Sequence, residues 1–442
     1  METASIAVLR MKKVLIITYY WPPSGGAGVQ RWLKFVKYFR SFGIEPIVYT
    51  PSNPEMPVID ASLSKDIPDH LTILQQPIWE PYHWYKKWVG VKPTEKINTG
   101  FLSENEKPKK SESIGVWIRG NFFIPDARCF WIQPSIQFLS EYLKSQPVDA
   151  IVSTGPPHSM HLIAKGIKEK LGIPWLADFR DPWTNIDFYD QLMLTRWADK
   201  KHHRLELEVL QKADVVTTVT SFDQKDFLQK GARKCEWIPN GYDEEFPEGI
   251  APHPTFELVH VGSIPRSRNH DNLWKAIQLA CQEDDHFKKD VSIKLVGKVD
   301  HSVKKSIHQF DLDEHCVYQE YLPHQEAIEV QQKSQILLLL VNNSGNAKSI
   351  LTGKFFEYLA AKRPILAVGP TDGEMNAILQ KTESGFCFNF DDTTGIKEQL
   401  LHWHKEYLEH GQIAVSENDS SAYSRRNLTA KMSSLIHQIC EP

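Results

Sequence analysis

Cysteine is scarce and scattered. The six at positions 129, 235, 281, 316, 387 and 440 form no C-x-x-C pair, which argues against a thiolate zinc site and a disulfide scaffold and suits a reducing compartment. No run of eighteen apolar residues occurs, and the opening METASIAVLR has no cationic start leading into a long apolar core. Neither a membrane span nor export is therefore expected, and the expected location is cytoplasmic. An excess of one charge is also missing, because 51 basic residues face 55 acidic ones for a net charge of −4. That balance gives no reason to expect a nucleic acid as partner. Short-period repeats and long low-complexity tracts are absent. The G-x-G-x-x-G fingerprint is missing and no acid closes the second apolar strand, Pro46 to Thr50, so a nicotinamide cofactor is disfavoured. No metal site and no carboxylate pair at glycosidase spacing can be argued from the sequence. Neither a metal nor a bound cofactor is expected.

What is present is the alternation of an α/β protein. With 442 residues, 41% of them hydrophobic, the chain suits two or three domains with real cores. Ile336 to Val341, ILLLLV, is the kind of apolar run found in strands covered on both faces, and Pro364 to Val368 is the next. Between them LTGKFFEYLAAKR predicts one helix. Thr352-Gly353 supply its N-cap and first turn, Phe355 and Leu359 share a face, and Lys362-Arg363 suit its C-terminal end. A loop at the carboxyl edge of a parallel sheet, leading into a helix start, is where open α/β sheets bind anions. Glu357 near that edge either accepts two hydrogen bonds from a vicinal diol such as ribose or is an exposed residue favoured by the helix dipole. Lys354 and the loop amides face phosphate on the first reading. Leu258 to Ser263 is a strand with Gly262 near its end, and Arg266 and Arg268 in the following loop are flat cations suited to a diphosphate, or simply solvated. Gly297-Lys298 closes the strand that starts at Ile293.

In the amino-terminal half, VLIITYYW is a buried-type strand, and the turn from Pro22 to Gly28 brings Gly25, Gly26 and Gly28 before a helix with Val29, Leu33, Val36 and Phe39 on its apolar face. Asp149 to Thr154 and Pro174 to Ala177 are further strands. The turn holding His158 follows the first and Asp178-Phe179-Arg180-Asp181 the second, so both open on the edge of the glycine turn. His158 is a capping residue or a site residue there, and the Asp/Arg group a structural salt bridge or an acceptor-orienting set. Residues 52–125 are the least regular part and hold an aromatic-rich insertion. WEPYHWYKKWVG interleaves Trp79, Tyr82, Trp84, Tyr85 and Trp88 with Lys86-Lys87, which suits a packed subdomain and also a membrane interface. Glu104 to Ser113 reads as a mobile loop. Asp126 and Arg128 suggest an ion pair.

KFFEYLAAKRPIL resembles the donor-binding segment of family-4 retaining glycosyltransferases of GT-B fold. Thr352, Lys354, Glu357, Tyr358, Leu359 and Ala360 match a Ser/Thr-x-Lys-x-x-Glu-Tyr-Leu-Ala variant found in branches that assemble cell-surface polysaccharides. The resemblance extends to the Gly-Gly-x-Gly turn, to Gly155 through Trp183, and to the Pro-Asn-Gly-x-Asp ending at Asp243. It departs from the family in two places: Ser349 stands where the first of a glutamate pair is usual, and Ser263 where a cation commonly follows the glycine. The fold it implies is GT-B, two facing Rossmann-like doubly wound parallel-sheet domains with a cleft between them. Residues 1–245 would take the acceptor, 255–420 the nucleotide sugar, and 421–442 would form a helix crossing back to the first domain.

The activity implied is hexosyl-type transfer from a nucleotide-diphosphate sugar, as co-substrate, to a carbohydrate or lipid-linked acceptor. Retention, independence of metal, and a role in polysaccharide or glycolipid synthesis follow from the same resemblance, and the aromatic insertion makes peripheral contact with the inner membrane face plausible. On this reading Glu357 grips ribose. Arg268, and after it Arg266, neutralise the leaving diphosphate, with Gly262, Ser263, Lys298, Thr352, Gly353 and Lys354 around it, while Gly25, Gly26 and Gly28 abut diphosphate and acceptor. Arg180-Asp181 replace a His-Asp pair near the transferring sugar, substituting a fixed cation for a titratable ring. Asp178, Asp181 and His158 orient the acceptor hydroxyl. A sugar-nucleotide epimerase or hydrolase of the same fold, and a catalytically silent nucleotide-binding scaffold, are the alternatives.

Overall fold

A computed structural model describes residues 10–56, 59–80, 110–186, 189–243, 250–414 and 420–441. By internal contacts the chain divides into two units, residues 1–238 with 428–442, and residues 239–427.

The first unit holds a seven-stranded parallel sheet of β1 (Lys12–Ile17), β2 (Ile44–Pro51), β3 (Thr72–Gln76), β4 (Ala150–Gly155), β5 (Trp175–Phe179), β6 (Val215–Thr218) and β7 (Cys235–Trp237), in the order β3-β2-β1-β4-β5-β6-β7. Parallel neighbours cannot be joined by a hairpin, so helices such as Ala27–Phe39, Ser159–Leu171 and Arg196–Lys212 carry the crossovers. Both faces are covered, which is why the strands read as unbroken apolar runs. Leu15, Ile17 and Ile151 pack under Ile136, Leu139 and Ile163 on one face. Val14, Ile16 and Val152 pack with Trp32, Val36 and the C-terminal helix Arg425–Cys440 on the other. The strand order reverses between β1 and β4, so the loops leaving their carboxyl ends border one crevice.

The second unit repeats the plan with six parallel strands, β8 (Phe256–Val261), β9 (Val291–Val296), β10 (Cys316–Gln319), β11 (Ile336–Leu340), β12 (Ile365–Val368) and β13 (Gly385–Phe388), in the order β10-β9-β8-β11-β12-β13. Its reversal lies between β8 and β11. Helix Gly353–Ala361 follows β11 and ends where Lys362 takes a left-handed backbone with φ 52.

Several local expectations shift. β5 runs on through Phe179, so Asp178 is a strand residue and not part of the loop. Residues 110–113, expected in a mobile loop, form the start of helix Lys110–Phe122. Residues 81–109 of the insertion, which hold Tyr82, Trp84, Tyr85, Lys86, Lys87 and Trp88, lie outside the described residues. Nearby, Trp79, Trp117, Phe122 and Phe130 are exposed. Among the described residues no helix is long and apolar enough to cross a membrane.

Leu428, Met432, Leu435 and Ile436 bury one side of the last helix against the first sheet's cover. Met432→Ala should lower stability by about 2–5 kcal/mol through the cavity it leaves, read as an earlier thermal unfolding transition. The exposed Ser434→Ala on the same helix should leave the transition in place.

Candidate functional site

At the reversal in the second sheet, β8 runs into Gly262 and β11 into Asn342. Gly262 has φ 112, a region glycine enters without strain, and a Cβ there would lie 2.7 Å from Lys354 Nζ. Arg268, in the loop after β8, donates from Nε to Asn342 Oδ1 at 2.6 Å and so ties the two loops together. Lys354, in the first turn of helix Gly353–Ala361, donates from Nζ to His260 Nε2 at 2.9 Å. His260 is fully buried in β8 and gives its Nδ1 hydrogen to the Leu338 carbonyl of β11 at 2.8 Å. Two cations thus meet at a glycine turn beside a helix start, where backbone amides lack partners and the dipole is positive. Burial, and then the charge of Arg268, push the Lys354 ammonium down to about 7, against a smaller opposing effect of Glu357. Burial also lowers Arg268. Both side chains are half-buried, and two like charges this close disfavour each other's charged form.

Glu357 is half-buried on the same helix, and its Oε2 accepts from Gln331 Nε2 at 3.3 Å. The next residue, Tyr358, is fully buried and accepts the Val261 amide at 2.9 Å, which fixes the helix to the end of β8. Thr352 is the N-cap residue but makes no side-chain capping bond, and its buried Oγ1 has no partner among the described residues. Gly353 is exposed. Ser349 donates to the Asn346 carbonyl at 3.0 Å, so its hydroxyl is engaged within its own turn. Ser263, Arg266 and Lys298 are exposed. The structure therefore groups Gly262, Arg268, Lys354 and Glu357 tightly and leaves Arg266 and Lys298 on the surface. His260, Asn342 and Gln331 escaped the sequence reading. The amide pair Asn342-Asn343 closing an apolar strand was a usable signal, whereas His260 was masked by the apolar residues around it.

In the first unit, Asp178 is fully buried and accepts from Arg31 Nη2 at 2.9 Å, Trp32 Nε1 at 2.7 Å, Thr154 Oγ1 at 3.0 Å and Thr217 Oγ1 at 2.8 Å. Burial alone would raise its carboxyl, but the Arg31 charge and these bonds hold it below the usual range. Its oxygens are taken, which removes it from the groups that can orient an acceptor; it is a structural ion pair. His158 is buried and stacked on Trp183 at 4.6 Å between ring centres. Burial first, then His161 and Arg180, push it well below the usual imidazole range, so it is neutral. Its Nδ1 has no partner among the described residues.

Arg180 donates from Nη1 to the Gly28 carbonyl at 2.5 Å and from Nη2 to the Pro156 carbonyl, clamping the first turn of helix Ala27–Phe39, which follows the loop after β1, to the loop after β4. Gly25 and Gly26 lie on the first of these loops, and Gly26, with φ 94, begins helix Ala27–Phe39. Asp181 is exposed just beyond β5. Near it Asp223, not singled out from sequence, is pushed up to about 6, chiefly by burial and further by Asp181 and Asp226. Asp126 and Arg128 do not form the ion pair suggested for them. Asp126 caps helix Ser159–Leu171 at the Ser159 amide, 2.9 Å, and Arg128 pairs with Glu80 at 3.0 Å.

Residues 99–246 match the family model described as Glycosyltransferase Family 4. Over this stretch the chain is similar to that family. The stretch contains the loops bearing His158, Arg180 and Asp181, while Gly262, Arg268, Lys354 and Glu357 lie beyond its end. No curated protein sequence matches the chain. Among solved structures, a glycosyltransferase from Rickettsia africae is similar at 12% identity and TM-score 0.61, covering 97% of this chain and 99% of that one. HepE from Anabaena, solved in complex with UDP, is similar at 11% identity and TM-score 0.55, covering 98% of each. A trehalose-phosphate synthase from Burkholderia xenovorans is similar at 10% identity and TM-score 0.55, covering 97% and 100%. At these identities the likeness shows the fold, a two-domain Rossmann-like GT-B fold, and the stretch matched by the family model lies in the first unit.

Asp178 offers a direct check on its structural role. Asp178→Ala should cost about 3–5 kcal/mol by leaving the Arg31 charge buried and unpaired, seen as a large drop in melting temperature. An unchanged melting temperature with lost turnover would instead place it in the reaction.

Proposed function

We propose that the protein transfers a hexosyl group from a nucleotide-diphosphate sugar to a carbohydrate or lipid-linked hydroxyl acceptor, with retention and without a metal, in polysaccharide or glycolipid synthesis. The observation that supports this is the grouping of Arg268 and Lys354 at the Gly262 turn, with Glu357 one turn further along the same helix. On this reading the diphosphate lies against both cations and the helix-start amides, and the ribose diol donates to Glu357. Lys354 reaches the glycine turn from the opposite strand's helix and supplies the cation that Ser263 lacks. Negative charge grows on the diphosphate as the glycosidic bond breaks, and positive charge held at the site once the donor is bound stabilises that state more than the ground state. These two cations do the work a metal would otherwise do.

In the first unit, Asp181 and the neutral His158 are the groups proposed beside the transferring sugar and acceptor. Arg180 shapes that loop edge and, as a guanidinium, takes no part in proton transfer. The exposed Trp79, Trp117, Phe122 and Phe130 support peripheral contact with the cytoplasmic membrane face. The match to a glycosyltransferase segment favours transfer over an epimerase, a hydrolase or a silent scaffold.

Calorimetric titration with UDP, GDP and their sugar conjugates tests the donor site. One nucleotide should bind, and Glu357→Ala should weaken it by at least about 1 kcal/mol, or about fivefold. Equal binding by the variant would move the site elsewhere, and turnover of donor without acceptor would favour an epimerase or hydrolase. Turnover should also survive excess chelator. Activity lost to chelator and restored by a divalent cation would overturn metal independence.

A further inference from the structure

The bond between Lys354 and His260 is an unusual way to hold a cation. His260 has no exposure to solvent, and its Nδ1 hydrogen is committed to Leu338, so the ring is neutral and offers only a lone pair at Nε2. Lys354 Nζ sits on that lone pair at 2.9 Å, against the space that any side chain at Gly262 would fill. The charged groups acting on the amine are Arg268 from the loop after β8, which opposes its protonation, and Glu357 from its own helix, which favours it to a lesser degree. His260 is itself held neutral by burial first and then by Lys354 and Arg268. Neither Lys354 nor Arg268 is ion-paired with a carboxylate among the described residues.

We propose that Lys354, seated on His260, takes up a proton from solvent when a nucleoside diphosphate binds, so that the site completes its second positive charge only in the presence of its anion. This rests on the donor-site reading above. His260 acts as a positioning residue: a neutral acceptor holds the amine at the Gly262 turn without supplying a negative charge that would keep it protonated in the empty site. Burial beside Arg268 puts the free amine at about 7, and a bound diphosphate raises it. The sign follows by linkage. Affinity is full below the free value and falls by up to about tenfold per pH unit above it, until the bound value is passed.

The full chain would be titrated calorimetrically with UDP and with GDP at pH 8.0, in PIPES and in Tris, whose ionisation enthalpies differ widely. At that pH the amine is mostly neutral before binding, and uptake of about half to one proton per site is expected. Lys354→Met should bind more weakly and lose the buffer dependence. His260→Gln, which keeps an acceptor, should retain both binding and uptake more fully than His260→Leu. Binding without proton uptake, or uptake that persists in Lys354→Met, overturns the inference and leaves the donor-site reading standing. No binding by either nucleotide, or binding indifferent to Glu357→Ala, overturns the donor-site reading and the inference with it.

Discussion

Parallel pairing is the constraint from which the site follows. Every strand of both sheets runs the same way, so each connection returns through a helix and each loop that follows a strand opens on one edge. Where the order reverses, the helices on either side pass to opposite faces and leave a crevice uncovered. The reversal between β8 and β11 is bordered by Gly262 and Asn342, and that between β1 and β4 by the glycine turn and the loop of His158. Loops far apart in sequence meet there because the sheet leaves them no other edge, and the ties between them, Arg268 to Asn342 and Arg180 to the Gly28 and Pro156 carbonyls, are what hold each crevice in shape.

The two edges use charge in opposite ways. Asp178 and Arg31 form a buried ion pair in which the carboxylate is further satisfied by Trp32, Thr154 and Thr217. Such a pair adds little net stability over an apolar replacement, but losing one partner leaves a buried charge without compensation. Its effect is to lock helix Ala27–Phe39 against β5 and β6. In the second unit the cations rest on neutral acceptors, an amide for Arg268 and an imidazole for Lys354. Among the described residues neither is paired with a carboxylate.

Fold class was legible because apolar runs covered on both faces carry a strong signal, and helix Gly353–Ala361 because cap, periodicity and terminal cations agree. The short strands β3, β7 and β13 were not read. They hold three to five residues and keep part of their side chains exposed, so periodicity has little to act on. Asp178 was misread for a related reason. DFRDPW looks like a polar loop, yet the strand continues through Phe179 because Arg31, Trp32, Thr154 and Thr217, distant in sequence, satisfy the carboxylate inside the sheet. Of the cluster at the Gly262 turn, Lys354, Glu357 and Arg268 were visible as residue types at loop and helix starts. His260 was not, because its partner is an amine 94 residues away.

That hidden partner changes what the visible residues mean. A lysine at a helix start reads as a solvated charge until its surroundings are known, and a carboxylate beside it would have made it a permanent cation in a closed ion pair. With His260 in that place the amine is held in position at almost no cost in attraction, while burial and Arg268 keep its charge in reserve. An ion pair would have to be broken for each ligand that entered; a neutral acceptor has only to share its hydrogen-bond donor. At position 262 the backbone takes φ 112, which favours glycine, and a Cβ there would come within 2.7 Å of Lys354 Nζ, so any side chain would require the amine to shift.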